Sequence, residues 1–261
     1  MCAEPKQTDF KWRTGPQYYA AIAANLITLA IGCMVGWFSP ALAKLTSKDT
    51  PLIEGPLNSE QISWLGSISN LSALCGIFVT GIFIKLLGCK NAMISLAFPS
   101  TAFWILIYFG NSYYHLLIAK ICAGWTGGGS QATIVLYISE IANDDIRGRL
   151  GSIITLLVNI GILSGYIVGA IVDYEYVPCI FIAIPLIYVA CFAFIPNTPQ
   201  YCLRRGRIEE AEKSLRYFKG FKGDPKQIKA FNIEFERLKS VSKEHNTDQK
   251  LQINDFSEFL H

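Results

Sequence analysis

The sequence predicts an all-α membrane protein: six transmembrane helices followed by a charged, helical, cytosolic segment. Three observations carry this expectation. Six apolar stretches, none containing an acidic residue, fill the first two thirds of the 261 residues, and each is near the ~17–25 residues a helix needs to cross a bilayer. A charged tail of about 60 residues follows them. A composition of 51% apolar, 13% aromatic and only 16% charged residues would leave a soluble globule with large exposed apolar surfaces.

The spans run Gln17 to Phe38, Ile62 to Ile84, Ala92 to Phe109, His115 to Ile138, Gly151 to Val172 and Val177 to Phe194. This divides the chain into a cytosolic N-terminal tail (1–16), a six-span bundle (17–195) and a cytosolic helical linker (196–261). Basic residues fall mostly on one side: Lys6, Lys11 and Arg13 in the tail, Lys85 and Lys90 after span 2, Arg147 and Arg149 after span 4, and Arg204, Arg205, Arg207, Lys213 and Arg216 after span 6. Lys44 and Lys48 stand on the other. The excess of positive charge on the inside places both termini in the cytosol, with an external segment before Ile62. The net charge of +3 separates no classes, and the first apolar run is span-length and follows a polar tail, unlike a cleaved signal peptide. Of eight cysteines about half lie within spans, where they read as small apolar residues. The sequon Asn70-Leu71-Ser72 falls inside span 2, out of reach of glycosylation.

Polar residues inside a bilayer are costly unless they face protein or water, so their spacing marks inward faces. In span 5, Thr155, Asn159 and Tyr166 share one face, while Gly161, Gly165 and Gly169 form a separate smooth stripe. Span 4 aligns Lys120, Gly124, Gly127 and Gln131, and span 1 aligns Asn25, Thr28, Gly32 and Gly36. With Asn70 in span 2, these polar side chains are the expected solute path. Lys120 either snorkels outward or stands at the mouth of that path. Gly32-x-x-x-Gly36 and Gly124-x-x-x-Gly128 fit either an internal three-plus-three repeat or ordinary small-residue packing. Gly127-Gly128-Gly129-Ser130 is mid-membrane and lacks the lysine of a phosphate loop. Proton-coupled carriers usually need an ionisable carboxylate in the bundle; its absence from all six stretches favours facilitated movement of a neutral solute.

At the cytosolic end of span 4, Tyr137-Ile138-Ser139-Glu140 precedes Arg147-Gly148-Arg149. A carboxylate and guanidinium there suit either a latch between helices or a solvated loop. Tyr137-x-x-Glu140, Arg147-Gly148 and Asn159-Ile160-Gly161-Ile162-Leu163 together resemble the sugar porter branch of the major facilitator superfamily. So do Gly36-Trp37-Phe38-Ser39-Pro40-Ala41-Leu42, Ser63-Trp64, Leu87-Gly88-Cys89-Lys90-Asn91, Pro196-Asn197-Thr198-Pro199-Gln200-Tyr201 and Gly206-Arg207-Ile208-Glu209-Glu210-Ala211. Among sugar porters the chain is most similar to the insect facilitated trehalose transporters.

The resemblance implies the N-terminal half of a major facilitator fold with its three-plus-three repeat, and then the cytosolic linker, ending before a seventh span. In the linker, Ile208, Ala211, Leu215 and Phe218 make one apolar stripe. A further segment from Asp224-Pro225 carries Ile228, Phe231, Phe235 and Leu238. Lys90, Glu140, Arg147 and Arg149 would form the cytosolic gate latch. Thr155 stands where many members carry a sugar-binding glutamine, and Met34 where proton-coupled members carry an aspartate. Lys120 and Cys89 replace arginines, Lys85 an acid and Gln200 the arginine of the exit motif.

The expected function is facilitated transport of a neutral sugar, trehalose or hexose, by alternating access in the plasma membrane. The alternative is a transporter-derived protein that acts only as a binding or regulatory partner. A half-bundle exposing polar faces to lipid calls for a homodimer or pairing with a full-length relative. No cofactor, metal or nucleic acid is expected. An aquaporin-like channel would need Asn-Pro-Ala motifs, and a mitochondrial carrier its three charged proline motifs. An intramembrane serine protease would need a serine–histidine pair, for which Ser164 and His115 are wrongly placed.

Overall fold

The computed structural model describes residues 14–221 and 227–241, and among these there is helix and no strand. Tyr19–Ile195 forms one compact unit, and the described residues on either side of it form a second. The tail lysines, Arg13, Asp224-Pro225 and the segment after residue 241 lie outside the described residues.

In the first unit each predicted span is helical. These are α1 (Gly15–Leu45), α2 (Ser59–Leu87), α3 and α4 (Cys89–Ser95 and Ala97–Phe109), α5 (Tyr113–Ile141), α6 (Asp144–Ile171), and α7 and α8 (Val177–Phe181 and Ala183–Ala193). Four stretches are long and apolar enough to cross a bilayer by length and composition: Gly15–Leu45, Ser59–Leu87, Cys89–Phe109 and Asp145–Ile171. Helix α5 matches them in length at 29 residues but carries Lys120, Gln131 and a triple glycine, and Val177–Ala193 is shorter. Spans 3 and 6 differ from the continuous helices expected, breaking at Leu96 and Ile182. Each break stands three residues before a proline, in Leu96-Ala97-Phe98-Pro99 and Ile182-Ala183-Ile184-Pro185. The proline ring displaces the carbonyl four residues back and donates nothing to it, so the preceding turn loosens there.

The glycine seams show how the helices are arranged. A Cβ on Gly32 or Gly36 would overlap the carbonyl oxygen of Val158 or Ile162, so α1 lies backbone to backbone against α6. A Cβ on Gly124 or Gly128 would overlap the carbonyl of Ser69 or Ala73, so α5 lies in the same way against α2. These contacts are in register. Adding 92 to a number in α1 and subtracting 89 from one in α6 turns the pairs Gly32/Val158 and Gly36/Ile162 into their counterparts: Gly124 faces Ser69 and Gly128 faces Ala73. Gly165 abuts the carbonyl of Cys33 and Gly76 that of Trp125, again at the same displacements. At the Gly161 equivalent stands Ser72, whose hydroxyl donates to Ile121 O at 2.6 Å, the counterpart of the Leu29 carbonyl that Gly161 abuts. The bundle is therefore a three-plus-three repeat, with small residues permitting close approach where apolar driving force between helices is absent.

Loops and rings close the end of the bundle that carries the α1–α2 loop. Asn58 caps α2 reciprocally with Gln61, accepting from its N–H at 2.8 Å while Gln61 Oε1 accepts from Asn58 N–H at 3.0 Å. The loop before α2 is tied down by Ile53 N–H to Asn111 O at 2.9 Å and by Ser112 Oγ to Glu54 Oε1 at 2.6 Å. Beneath it Trp37, Phe103, Trp104 and Phe181 pack together, with Phe103–Trp104 and Trp104–Phe181 centroids 4.8 and 5.1 Å apart. At the other end Gly88 takes φ 86° between α2 and α3, a conformation that accounts for glycine in Leu87-Gly88-Cys89-Lys90.

In the second unit α9 (Pro199–Arg204), α10 (Ile208–Phe218) and α11 (227–241) share an apolar centre. Cys202, Leu203 and Ala211 meet Phe235 and Leu238 there, and Leu215, Phe218 and Phe231 are buried. Ile208 and Ile228, expected on the same stripes, are instead about half exposed. Burial and nearby Glu210 push the Cys202 thiol above its ordinary range, against a smaller opposing effect of Arg207. Gln17, fully buried, donates its amide to Phe218 O at 3.1 Å, satisfying a carbonyl at the C-terminus of α10. Gln17→Ala is expected to lower stability by about 1–2 kcal/mol, seen as a lower melting temperature. Gln17→Glu, which cannot donate, should lose as much.

Candidate functional site

One face of the first unit opens where α1 and α5 diverge. Gly127 has no neighbour across the gap nearer to its Cβ position than Ile31, at 3.9 Å. The resulting cleft of about 180 Å³ is lined by Ile31, Met34 and Val35 of α1, by Ser69 and Asn70 of α2, and by Lys120 and the glycines of α5. It is smaller than the ~300–1,000 Å³ of drug-sized pockets.

Lys120 is half-buried and reaches from α5 to α1, its Nζ 3.1 Å from the centroid of the Phe38 ring. An ammonium over an aromatic face is stabilised by roughly 1–2 kcal/mol when partly desolvated. This contact turns the lysine toward α1, a geometry that neither sequence reading of Lys120 contained. Asn70, also on the cleft wall, is exposed, and Ser69 Oγ donates to Lys120 O at 3.4 Å.

Other expected path residues are placed differently. Asn25 and Thr28 are fully buried and bond their own helix: Asn25 Nδ2 donates to Ala21 O at 2.8 Å and Thr28 Oγ1 to Asn25 O at 2.7 Å. Gln131, Thr155, Asn159 and Tyr166 are exposed and none of them lines the cleft. Asn159 donates to Thr155 O at 2.8 Å. The register of the repeat makes Asn159 the counterpart of Asn70, so both repeats present an exposed asparagine on equivalent helices. Spacing alone missed Met34, Val35 and Ser69 as cleft residues; the pairing of Gly124 and Gly128 with α2 is what brings Ser69 to α5.

Of the expected latch, Lys90 donates to Ala193 O at 2.8 Å, setting its charge at the negative C-terminal end of α8. Glu140 is half-buried at the end of α5, while Arg147 and Arg149 are exposed in the first turns of α6.

Glycine seams, broken third and sixth spans and a cleft between α1, α2 and α5 define a six-span bundle of two three-span repeats. The model of the family described as "Sugar (and other) transporter" matches residues 10–258, and the chain belongs to that family. It is a multi-pass membrane protein. It is similar to the facilitated trehalose transporter Tret1 of Polypedilum vanderplanki, 32% identical over 80% of this chain and 41% of that protein. It is also similar to that of Apis mellifera ligustica, 30% identical over 85% of this chain and 45% of that protein. The chain thus spans less than half the length of these curated relatives. In fold it is similar to the proton:xylose symporter XylE bound to 6-bromo-6-deoxy-D-glucose, with TM-score 0.72 at 17% identity over 92% of this chain and 56% of that one.

Proposed function

We propose that this bundle supplies one half of a facilitative transporter for a neutral sugar, trehalose or a hexose, working by alternating access. The observation that carries the proposal is the cleft between α1, α2 and α5: it holds polar side chains at membrane depth and no carboxylate among its lining residues. Without an acid to titrate there, the solute moves down its own gradient. Membership of a sugar transporter family and similarity to proteins named facilitated trehalose transporters support the same reading. The second half of the site comes from another six-helix bundle, whether in the same polypeptide or in a partner. In this reading the linker and both ends lie in the cytosol of a plasma-membrane protein, and Lys90, Glu140, Arg147 and Arg149 latch the cytosolic ends together.

Oocytes expressing the chain joined to the second half of a sugar porter should take up labelled trehalose or glucose, saturably and without dependence on external pH. Loss of uptake on Asn70→Leu, with surface expression retained, is expected. Uptake by neither the chain nor its joined form, both at the surface, would contradict the proposal.

A second reading is favoured by the exposed Gln131, Thr155 and Asn159 on membrane-embedded helices. Polar groups left against lipid favour a cover, and the cover is a second copy of this chain or a full-length relative. Native extracts should then contain the chain in a complex; a lone monomer would contradict it.

A further inference from the structure

Lys120 sets a second preference for the cleft. Its ammonium rests on Phe38 at 3.1 Å, and among the described residues no carboxylate or hydrogen-bond acceptor is recorded against it. It is the one charged side chain among the residues lining the cleft, whose other polar side chains are Ser69 and Asn70. A ring face attracts a cation but accepts no strong hydrogen bond, so the ring leaves the three N–H donors of the ammonium available to a ligand. A ligand carrying an anionic oxygen would pair with this ammonium through a charge-assisted hydrogen bond that the ring does not provide.

We propose that this cleft binds a carboxylated sugar more tightly than the matching neutral one, the carboxylate taking the Lys120 ammonium and a ring hydroxyl the Asn70 amide. The proposal rests on the reading of the cleft as the sugar path and adds a ligand class to it. Phe38 holds the ammonium at the cleft edge, and a short swing of the lysine stem brings the charge over the ligand. Met34 and Val35 supply an apolar wall for the C–H face of the sugar ring.

The test is binding of glucuronate and glucose to the purified chain in phosphatidylcholine nanodiscs, followed by tryptophan fluorescence, since Trp37 adjoins Phe38. Glucuronate is expected to bind roughly tenfold more tightly than glucose, the size of one charge-assisted hydrogen bond, and the gap should narrow as salt rises. Lys120→Met should bring the two ligands level, and Lys120→Arg should keep the preference. Because Lys120→Met removes a charge from apolar surroundings, its melting temperature should equal or exceed that of the parent, which separates lost binding from lost folding.

Equal affinities in the parent protein, or a preference that survives Lys120→Met, would overturn the proposal. So would a preference that vanishes when phosphatidylglycerol is added to the discs, since a lipid headgroup would then hold the ammonium. Failure of sugar uptake with the glucuronate preference intact would count against the transport reading and leave this site standing. Uptake without the preference would do the reverse.

Discussion

Gly36→Ala should prevent the bundle from assembling. The added Cβ would overlap the carbonyl oxygen of Ile162 and stand 2.8 Å from its carbonyl carbon. No side chain can rotate away, since the obstacle is the backbone of α6, so α1 and α6 must separate. That separation removes packing along the seam made by Gly32, Gly36, Gly161 and Gly165, and packing is what joins helices in lipid. Overpacking a core costs about 1–3 kcal/mol where side chains can adjust, and here the cost lies at or above the upper end. The repeat extends the expectation: Gly128→Ala, which meets the Ala73 carbonyl, should do equal damage between α5 and α2. Gly66→Ala and Gly81→Ala, with nothing within 4 Å, should change stability by less than about 0.5 kcal/mol. Melting of detergent-solubilised protein by size-exclusion chromatography checks all four, and a Gly36→Ala protein that melts with the parent would disprove the seam.

Trp104→Ala should be the most damaging truncation outside the seams. Trp104 is fully buried and touches three aromatic rings: Trp37 at 5.9 Å, Phe103 at 4.8 Å and Phe181 at 5.1 Å between centroids. The cluster joins α1, α4 and α7, elements of both repeats. In a soluble core such a truncation costs about 3–5 kcal/mol. In a bilayer the transfer contribution shrinks because lipid is itself apolar, so the packing loss remains, about 3 kcal/mol. Phe98→Ala, on a side chain 80% exposed, should cost almost nothing. A Trp104→Ala protein that melts like Phe98→Ala would show that the cluster contributes little.

The spans were legible because a bilayer imposes length and apolarity on each crossing helix, and Gln17 to Phe38 and Ile62 to Ile84 fall within α1 and α2. The breaks at Leu96 and Ile182 were written as Pro99 and Pro185, yet apolar continuity masked them. The repeat was visible only faintly in Gly32-x-x-x-Gly36 and Gly124-x-x-x-Gly128. Its decisive part is which backbone each glycine meets, which sequence spacing does not encode. The same limit explains the site. Helical spacing put Asn25 and Thr28 on an inward face, and both are buried, but they bond the preceding turn of their own helix and do not line the cleft. Lys120 is legible in the sequence as a charge within a span, whereas its place over Phe38 depends on how α1 and α5 are juxtaposed.

The central claim is that solute reaches the cleft between α1, α2 and α5, and cysteine accessibility tests it most directly. In a background freed of native cysteines and joined to a second half-bundle, Asn70→Cys and Phe98→Cys are each exposed to a charged, membrane-impermeant thiol reagent during uptake. The account predicts that Cys at 70 reacts, that its reaction blocks uptake and that trehalose slows it, while Cys at 98 stays silent against lipid. An unreactive position 70 beside intact uptake, or labelling there that leaves uptake unchanged, would contradict it.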